Sequence, residues 1–159
     1  MEVLTDTTLL SWNIRGAQNN NARRHMKDLI RKHRPSFLVI LETRVLFARL
    51  ATFWTNIGYT MVHIVEASGH SGGIWLLKHS VDPTTTTITD GNQYSITFTI
   101  SQGNTTTTCT CVYASPNATL RSPFWTYLSN LSQTITGPWM LIGDFNETIL
   151  PSDQRGGHL

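Results

Sequence analysis

The sequence predicts an α/β fold built from strand-helix-strand units, on three observations. Apolar runs of strand length end abruptly in polar side chains at Asn13, Glu42 and Asp144. Stretches with apolar residues at helical spacing lie before the second and the third of these runs. A helical crossover of this length joins parallel neighbours with a right-handed turn, so Asn13 and Glu42 share one sheet rim, and so do Tyr113 and Asp144.

The elements follow in order. Residues 7–14 read as a strand. Asn19-Asn20-Asn21 offers caps for a helix over about 21–33, where Met26, Leu29 and Ile30 stand at helical spacing and Pro35 stops the run. Residues 36–42 form a buried strand. A helix over about 45–57 is expected because Leu46, Leu50 and Trp54 recur every fourth position on one face. Strands follow at about 59–66, 72–78, 92–101 and 105–114. The threonine runs Thr84–Thr87 and Thr105–Thr108 suit strands or exposed edges better than helices. A helix over about 119–136 precedes a last strand at 138–144.

A chain of 159 residues fits one domain with a sizeable core. Its charged fraction, 14%, is well below the average of about 25%, and a net charge of +2 gives nucleic-acid binding only mild support. The basic residues concentrate between Arg23 and Arg34, as on a solvated helix face. Cys109 and Cys111 flank one residue of a strand, a separation too short for an ordinary disulfide. They form no zinc framework, and a reducing intracellular compartment, nuclear or cytoplasmic, is expected. Asn104, Asn117, Asn130 and Asn146 each begin an Asn-x-Ser/Thr triplet, but Met1–Asp6 has neither the basic start nor the apolar core of a signal peptide. The triplets therefore read as by-products of threonine abundance. No apolar run approaches the length of about 18 residues that a membrane-spanning helix needs.

The chemistry concentrates at the strand ends. In Trp139-Met140-Leu141-Ile142-Gly143-Asp144-Phe145-Asn146 a carboxylate and a carboxamide stand two positions apart, and so point the same way along an extended backbone. Phosphodiester hydrolysis needs stabilised phosphoryl charge, an activated water and help for the leaving oxygen. Magnesium prefers oxygen ligands, often one or two carboxylates plus water. Glu42 is the candidate metal anchor, with Asn13 beside it as a neutral oxygen ligand or water holder. Asp144 would orient or deprotonate the attacking water, Asn146 would hold that water or a phosphate oxygen, and Tyr113 would donate a phenolic hydrogen bond to phosphate. Ser71-Gly72-Gly73 lacks the Lys-Ser/Thr of a P-loop. Trp12, Trp54, Trp75, Trp125 and Trp139 read as core residues before base-stacking platforms.

Taken together, Ser11-Trp12-Asn13, Leu41-Glu42-Thr43, Val112-Tyr113-Ala114 and Gly143-Asp144-Phe145-Asn146 resemble, in order and spacing, the endonuclease/exonuclease/phosphatase superfamily. Ser11-Trp12-Asn13-Ile14-Arg15-Gly16, Ser71-Gly72-Gly73-Ile74-Trp75-Leu76-Leu77 and Ile142–Glu147 look most like the endonuclease of plant LINE-type (non-LTR) retrotransposons. The resemblance implies a DNase I-like two-sheet α/β sandwich with helices outside. It implies Mg2+, with Mn2+ as an alternative, held by Glu42 and Asn13; Asp144, Asn146 and Tyr113 as catalytic residues; and DNA as the partner. It also implies that residues 8–159, after an extension over 1–7, are the N-terminal part of a longer domain whose C-terminal strands are missing. A closing Ser-Asp-His segment is part of the pattern, and Ser152-Asp153-Gln154 does not match it. The expectations are weak activity or none, and an apolar face that the absent half, or another chain, is needed to cover. A non-catalytic remnant or binding module, or a phosphatase for small-molecule or lipid phosphates, stays open as an alternative on the same fold.

Overall fold

The computed structural model describes residues 6–153 and Arg155. Most of the 1–7 extension lies outside that range, as do Gln154, Gly156-Gly157 and His158. The chain runs β1 (Leu9–Asn13), α1 (Asn20–His33), β2 (Phe37–Leu41), a 3-10 turn (Phe47–Arg49), α2 (Ala51–Asn56), β3 (Tyr59–Val65) and β4 (Ile74–His79). It continues through β5 (Thr85–Asn92), β6 (Ser95–Gln102), β7 (Thr105–Tyr113), α3 (Ala118–Ser132), β8 (Trp139–Asp144) and a 3-10 turn (Pro151–Asp153).

The strands make two mixed sheets of four, ordered β1-β2-β4-β3 and β5-β6-β7-β8. Each contains one parallel pair made by a helical crossover, β1 with β2 around α1 and β7 with β8 around α3. The sheets stack with β1 against β8, β4 against β6 and β3 against β5.

Alternation along the strands sorts the core into layers. Phe37, Val39, Leu41, Ile74 and Leu76 of the first sheet meet Ile96, Phe98, Ile100, Cys109 and Cys111 of the second, all at most 1% exposed. On the outer face of the first sheet, Leu38, Ile40, Trp75 and Leu77 pack with Met26 of α1 and Trp54 of α2. On the outer face of the second, Val112 packs with Phe124, Leu128 and Leu131 of α3. The expectation of an uncovered sheet is therefore corrected: the partner sheet is present and the inner faces cover each other. What stays open is the side of the sandwich where β1 and β8 are edge strands, with Met140 36% and Leu141 40% exposed.

The first helix matches its sequence signals. The Asn19 side chain accepts from the backbone N–H groups of Asn21 and Ala22, and Arg34 closes the helix in a left-handed conformation (φ 44°) just before Pro35. The expected helix over 45–57 is shorter. Leu46 is extended (φ −67°, ψ 136°) and 53% exposed, so only Leu50 and Trp54 reach the core. The strand expected over 92–101 is β6, and the Thr84–Thr87 run, read as suiting a strand or exposed edge, opens β5, which extends to Asn92. A two-residue turn links them, with Asn92 Oδ1 accepting from the Tyr94 N–H at 2.8 Å.

Candidate active site

Asn13 and Asp144 end the two strands that face each other at the open side of the sandwich. Asn13 pairs in register with the inward-facing Leu41, and Asp144 with Tyr113, whose side chain joins the inner core. Both polar side chains are thereby directed between the sheets. They meet there: Asn13 Nδ2 donates to Asp144 Oδ2 at 2.9 Å, joining residues 131 positions apart. The backbone N–H of Asn146 donates to the other oxygen, Asp144 Oδ1, at 3.0 Å. Asn13 Oδ1 accepts from the Arg15 N–H at 3.1 Å.

Gly143 lets β8 deliver Asp144 to this point. Its φ is 144°, and a Cβ there would lie 2.0 Å from the carbonyl oxygen of Val112 on β7. Only a residue without a side chain permits that approach. Below the rim lies a cleft of about 980 Å³ lined by Ser11, Asn13, Leu41, Asp144, Phe145 and Asn146 among others.

Three of the five expected site residues, Asn13, Asp144 and Asn146, line this cleft. Glu42 and Tyr113 adjoin it through their neighbours Leu41 and Asp144 without lining it. Glu42 adopts a left-handed conformation (φ 55°), its side chain is 12% exposed, and its carboxylate is paired with the Arg44 guanidinium. Burial raises the Tyr113 pKa, and the Asp144 charge raises it further, against the opposing charges of Arg44 and Arg15. The phenol therefore stays a proton donor at neutral pH. The role expected of Asn146 narrows. Its Nδ2 already donates to the Ala114 carbonyl at 2.7 Å, so Asn146 fastens the β8 loop to the β7 loop.

Arg121 of α3 also lines the cleft, and sequence reasoning missed it. It is 7% exposed. Its Nη1 donates to the carbonyls of Ser115 and Pro116 at 2.9 and 2.7 Å, and its Nη2 to Glu147 Oε2 at 2.9 Å. One guanidinium thus ties the loop after β7 to the loop after β8. The Arg121 hydrogen bond, helped by the Thr148 N–H, holds the Glu147 carboxyl below its usual pKa. The available signal was spacing: Arg121, Phe124 and Leu128 share one helical face, and the latter two are core residues. Beside them Trp125, 37% exposed, stacks on Phe145 at 6.0 Å and 7°. Asp153 serves a local turn, its Oδ2 accepting from the Leu150 N–H at 3.0 Å.

Among the described residues no three His, Cys, Asp or Glu side chains cluster as a ready metal site. The donors at the rim are oxygens, and Glu42 already holds a cation in the Arg44 guanidinium. That donor chemistry suits a hard divalent ion that keeps most of its waters.

Two mixed four-stranded sheets, stacked with helices outside and polar strand ends meeting between them, define a DNase I-like α/β sandwich. The chain belongs to the endonuclease/exonuclease/phosphatase family, whose profile matches residues 10–155. Among solved structures it is similar to the endonuclease domain of TRAS1, a telomere-specific non-LTR retrotransposon, at 11% identity and TM-score 0.64, covering 89% of this chain and 60% of that one. It is similar to the 3' phosphatase NExo from Neisseria bound to product DNA hairpin, at 16% identity and TM-score 0.66, covering 92% and 60%. An AP endonuclease from Archaeoglobus fulgidus matches at 14% identity and TM-score 0.64, over 94% and 61%. The chain thus spans about 60% of the length of these structures. No curated protein sequence matches it.

Proposed function

We propose that this chain carries the central residues of a Mg2+-dependent phosphodiesterase acting on DNA, of the retrotransposon endonuclease type. The observation that carries the reading is the Asn13–Asp144 hydrogen bond, which brings the ends of β1 and β8 together across the sandwich. Asp144, fixed on both oxygens, would orient and deprotonate the attacking water; a base acts within about 3 Å of the proton it takes. Asn13 would keep Asp144 in place, and Asn146 would hold the loop carrying it. Tyr113 would donate a hydrogen bond to a phosphoryl oxygen. Glu42 and Asn13 would hold the metal, which would supply charge neutralisation at the phosphate.

The test is nicking of supercoiled plasmid in Mg2+ or Mn2+ against EDTA, with Asp144→Asn and Glu42→Ala as controls and a phosphate-monoester assay in parallel. Metal-dependent nicking lost in both variants supports the reading. Monoester hydrolysis without nicking would move the function to a phosphatase. The binding-module alternative draws on the pairing of Glu42 with Arg44, which engages the metal anchor. Wild-type protein that binds DNA yet neither nicks it nor releases phosphate would favour it.

A further inference from the structure

Two arginines stand on the rim outside the residues assigned above. Arg15 and Arg44 both have left-handed backbones, with φ of 50° and 56°. Such conformations are uncommon for residues with long side chains, and here the surrounding backbone over-determines them. The Gly16 N–H donates to the Glu42 carbonyl and the Ala17 N–H to the Thr43 carbonyl, each at 2.9 Å, and the Arg44 N–H donates to the Gly72 carbonyl at 3.2 Å. The Arg44 stem runs past Gly16, its Cδ 3.9 Å from where a Cβ would sit there. Three loops therefore fix the backbones of both arginines at the C-terminal edge of the first sheet.

Their electrostatic settings differ. Arg44 is paired with Glu42 and its side chain is 45% exposed. Arg15 is exposed and makes no ion pair among the described residues. Of the other carboxylates near the cleft, Glu147 is ion-paired with Arg121, and Asp144 accepts a hydrogen bond from the neutral Asn13 amide. Arg15 is thus a cation at this rim with no carboxylate partner among the described residues, a local feature that the chain's net charge of +2 does not reveal.

We propose that Arg15 and Arg44 form a binding ledge for the phosphodiester backbone of nucleic acid, flanking the group held at Asp144. The proposal rests on the DNA reading above, and it names the residues that give the affinity. Guanidinium forks suit phosphate oxygens, and two of them on one rim suit a chain of phosphates better than a single one. Each such contact releases counterion on binding, so it is visible in the salt dependence of affinity.

The experiment measures anisotropy of a labelled DNA duplex in EDTA, where hydrolysis plays no part, as salt is varied. Arg15→Gln is the cleanest variant, because it frees no carboxylate. Arg44→Gln is paired with Glu42→Gln to keep the local charge balanced. Lys32→Gln, on the exposed far end of α1, controls for net charge. The Arg15 variant and the Arg44/Glu42 double variant are each expected to lower the magnitude of the slope of log K against log[salt] by about 0.9, and affinity by roughly five- to tenfold, whereas the Lys32 variant keeps the wild-type slope. Melting curves confirm that each variant is folded. An unchanged slope in Arg15→Gln, or an equal loss in Lys32→Gln, overturns the ledge. Displacement of the duplex by millimolar inorganic phosphate at constant ionic strength would assign a small-anion site and overturn it as well. Wild-type binding that follows these slopes without nicking in Mg2+ would leave the ledge standing and remove only the hydrolytic reading.

Discussion

Asp144 has no freedom to turn: Asn13 holds one carboxylate oxygen and the Asn146 N–H the other. Replacing Asn13 by Ala should cut nicking by about a hundredfold or more, the size expected when one oriented donor is removed from such a centre, while the melting temperature moves little; plasmid nicking and thermal melting measure the two. Glu42 makes a second prediction. The Arg44 guanidinium competes for its carboxylate, so Arg44→Met should bind Mg2+ several-fold more tightly by calorimetry, whereas Glu42→Ala should bind it barely at all. A third concerns alkaline stability. Tyr59 donates to the Pro35 carbonyl at 2.6 Å, and burial pushes its pKa from 10.0 up to about 12. A raised folded-state pKa favours the neutral form, so this contribution is whole below pH 10 and is lost as pH rises towards 12. Urea denaturation should show wild-type stability falling in that window more steeply than that of Tyr59→Phe. At this scale Asn13 and Asp144 were legible because each ends an apolar run. For Arg121 helical spacing marks the buried face but not the contact, because its partner Glu147 lies 26 positions away.

Strand β8 depends on Gly143 and is exposed along one edge. Gly143→Ala would drive a Cβ into the Val112 carbonyl, so β8 must shift and carry Asp144 with it. A cost on the order of 1–3 kcal/mol in denaturation, together with loss of nicking, is the expected outcome. The unpaired edge invites association between copies, since Leu141 adds apolar surface to free backbone groups. Leu141→Lys should lower the self-associated fraction in sedimentation velocity without lowering the melting temperature. Which elements were legible follows from their packing. Helix α1 carries its own cap in Asn19 and its own stop before Pro35. Strand β5, Thr85–Asn92, is polar, partly exposed and broken in register between Ile88 and Asp90, so it is a strand only because β6 pairs with it. Leu46 kept its spacing with Leu50 and Trp54, but the chain there turns before it becomes helical.

The whole molecule closes around Phe37, Val39, Ile74, Leu76, Phe98 and Cys111 between its two sheets. Burial of that layer favours a cooperative thermal transition and weak binding of a hydrophobic dye, contrary to what an uncovered sheet would give. The sandwich was legible through the ordered strand-end motifs. The stacking of one sheet on the other was not, because contacts such as β4 with β6 leave no periodic trace in a sequence.

The bridge between Asn13 and Asp144 also sets a condition on when the centre exists. One partner belongs to the first strand described and the other to the last, 131 positions later. A nascent or half-folded chain can present Asn13 and Glu42, but it has no Asp144 held beside them. Whatever the centre does, it can do only in molecules where β1 and β8 have come together.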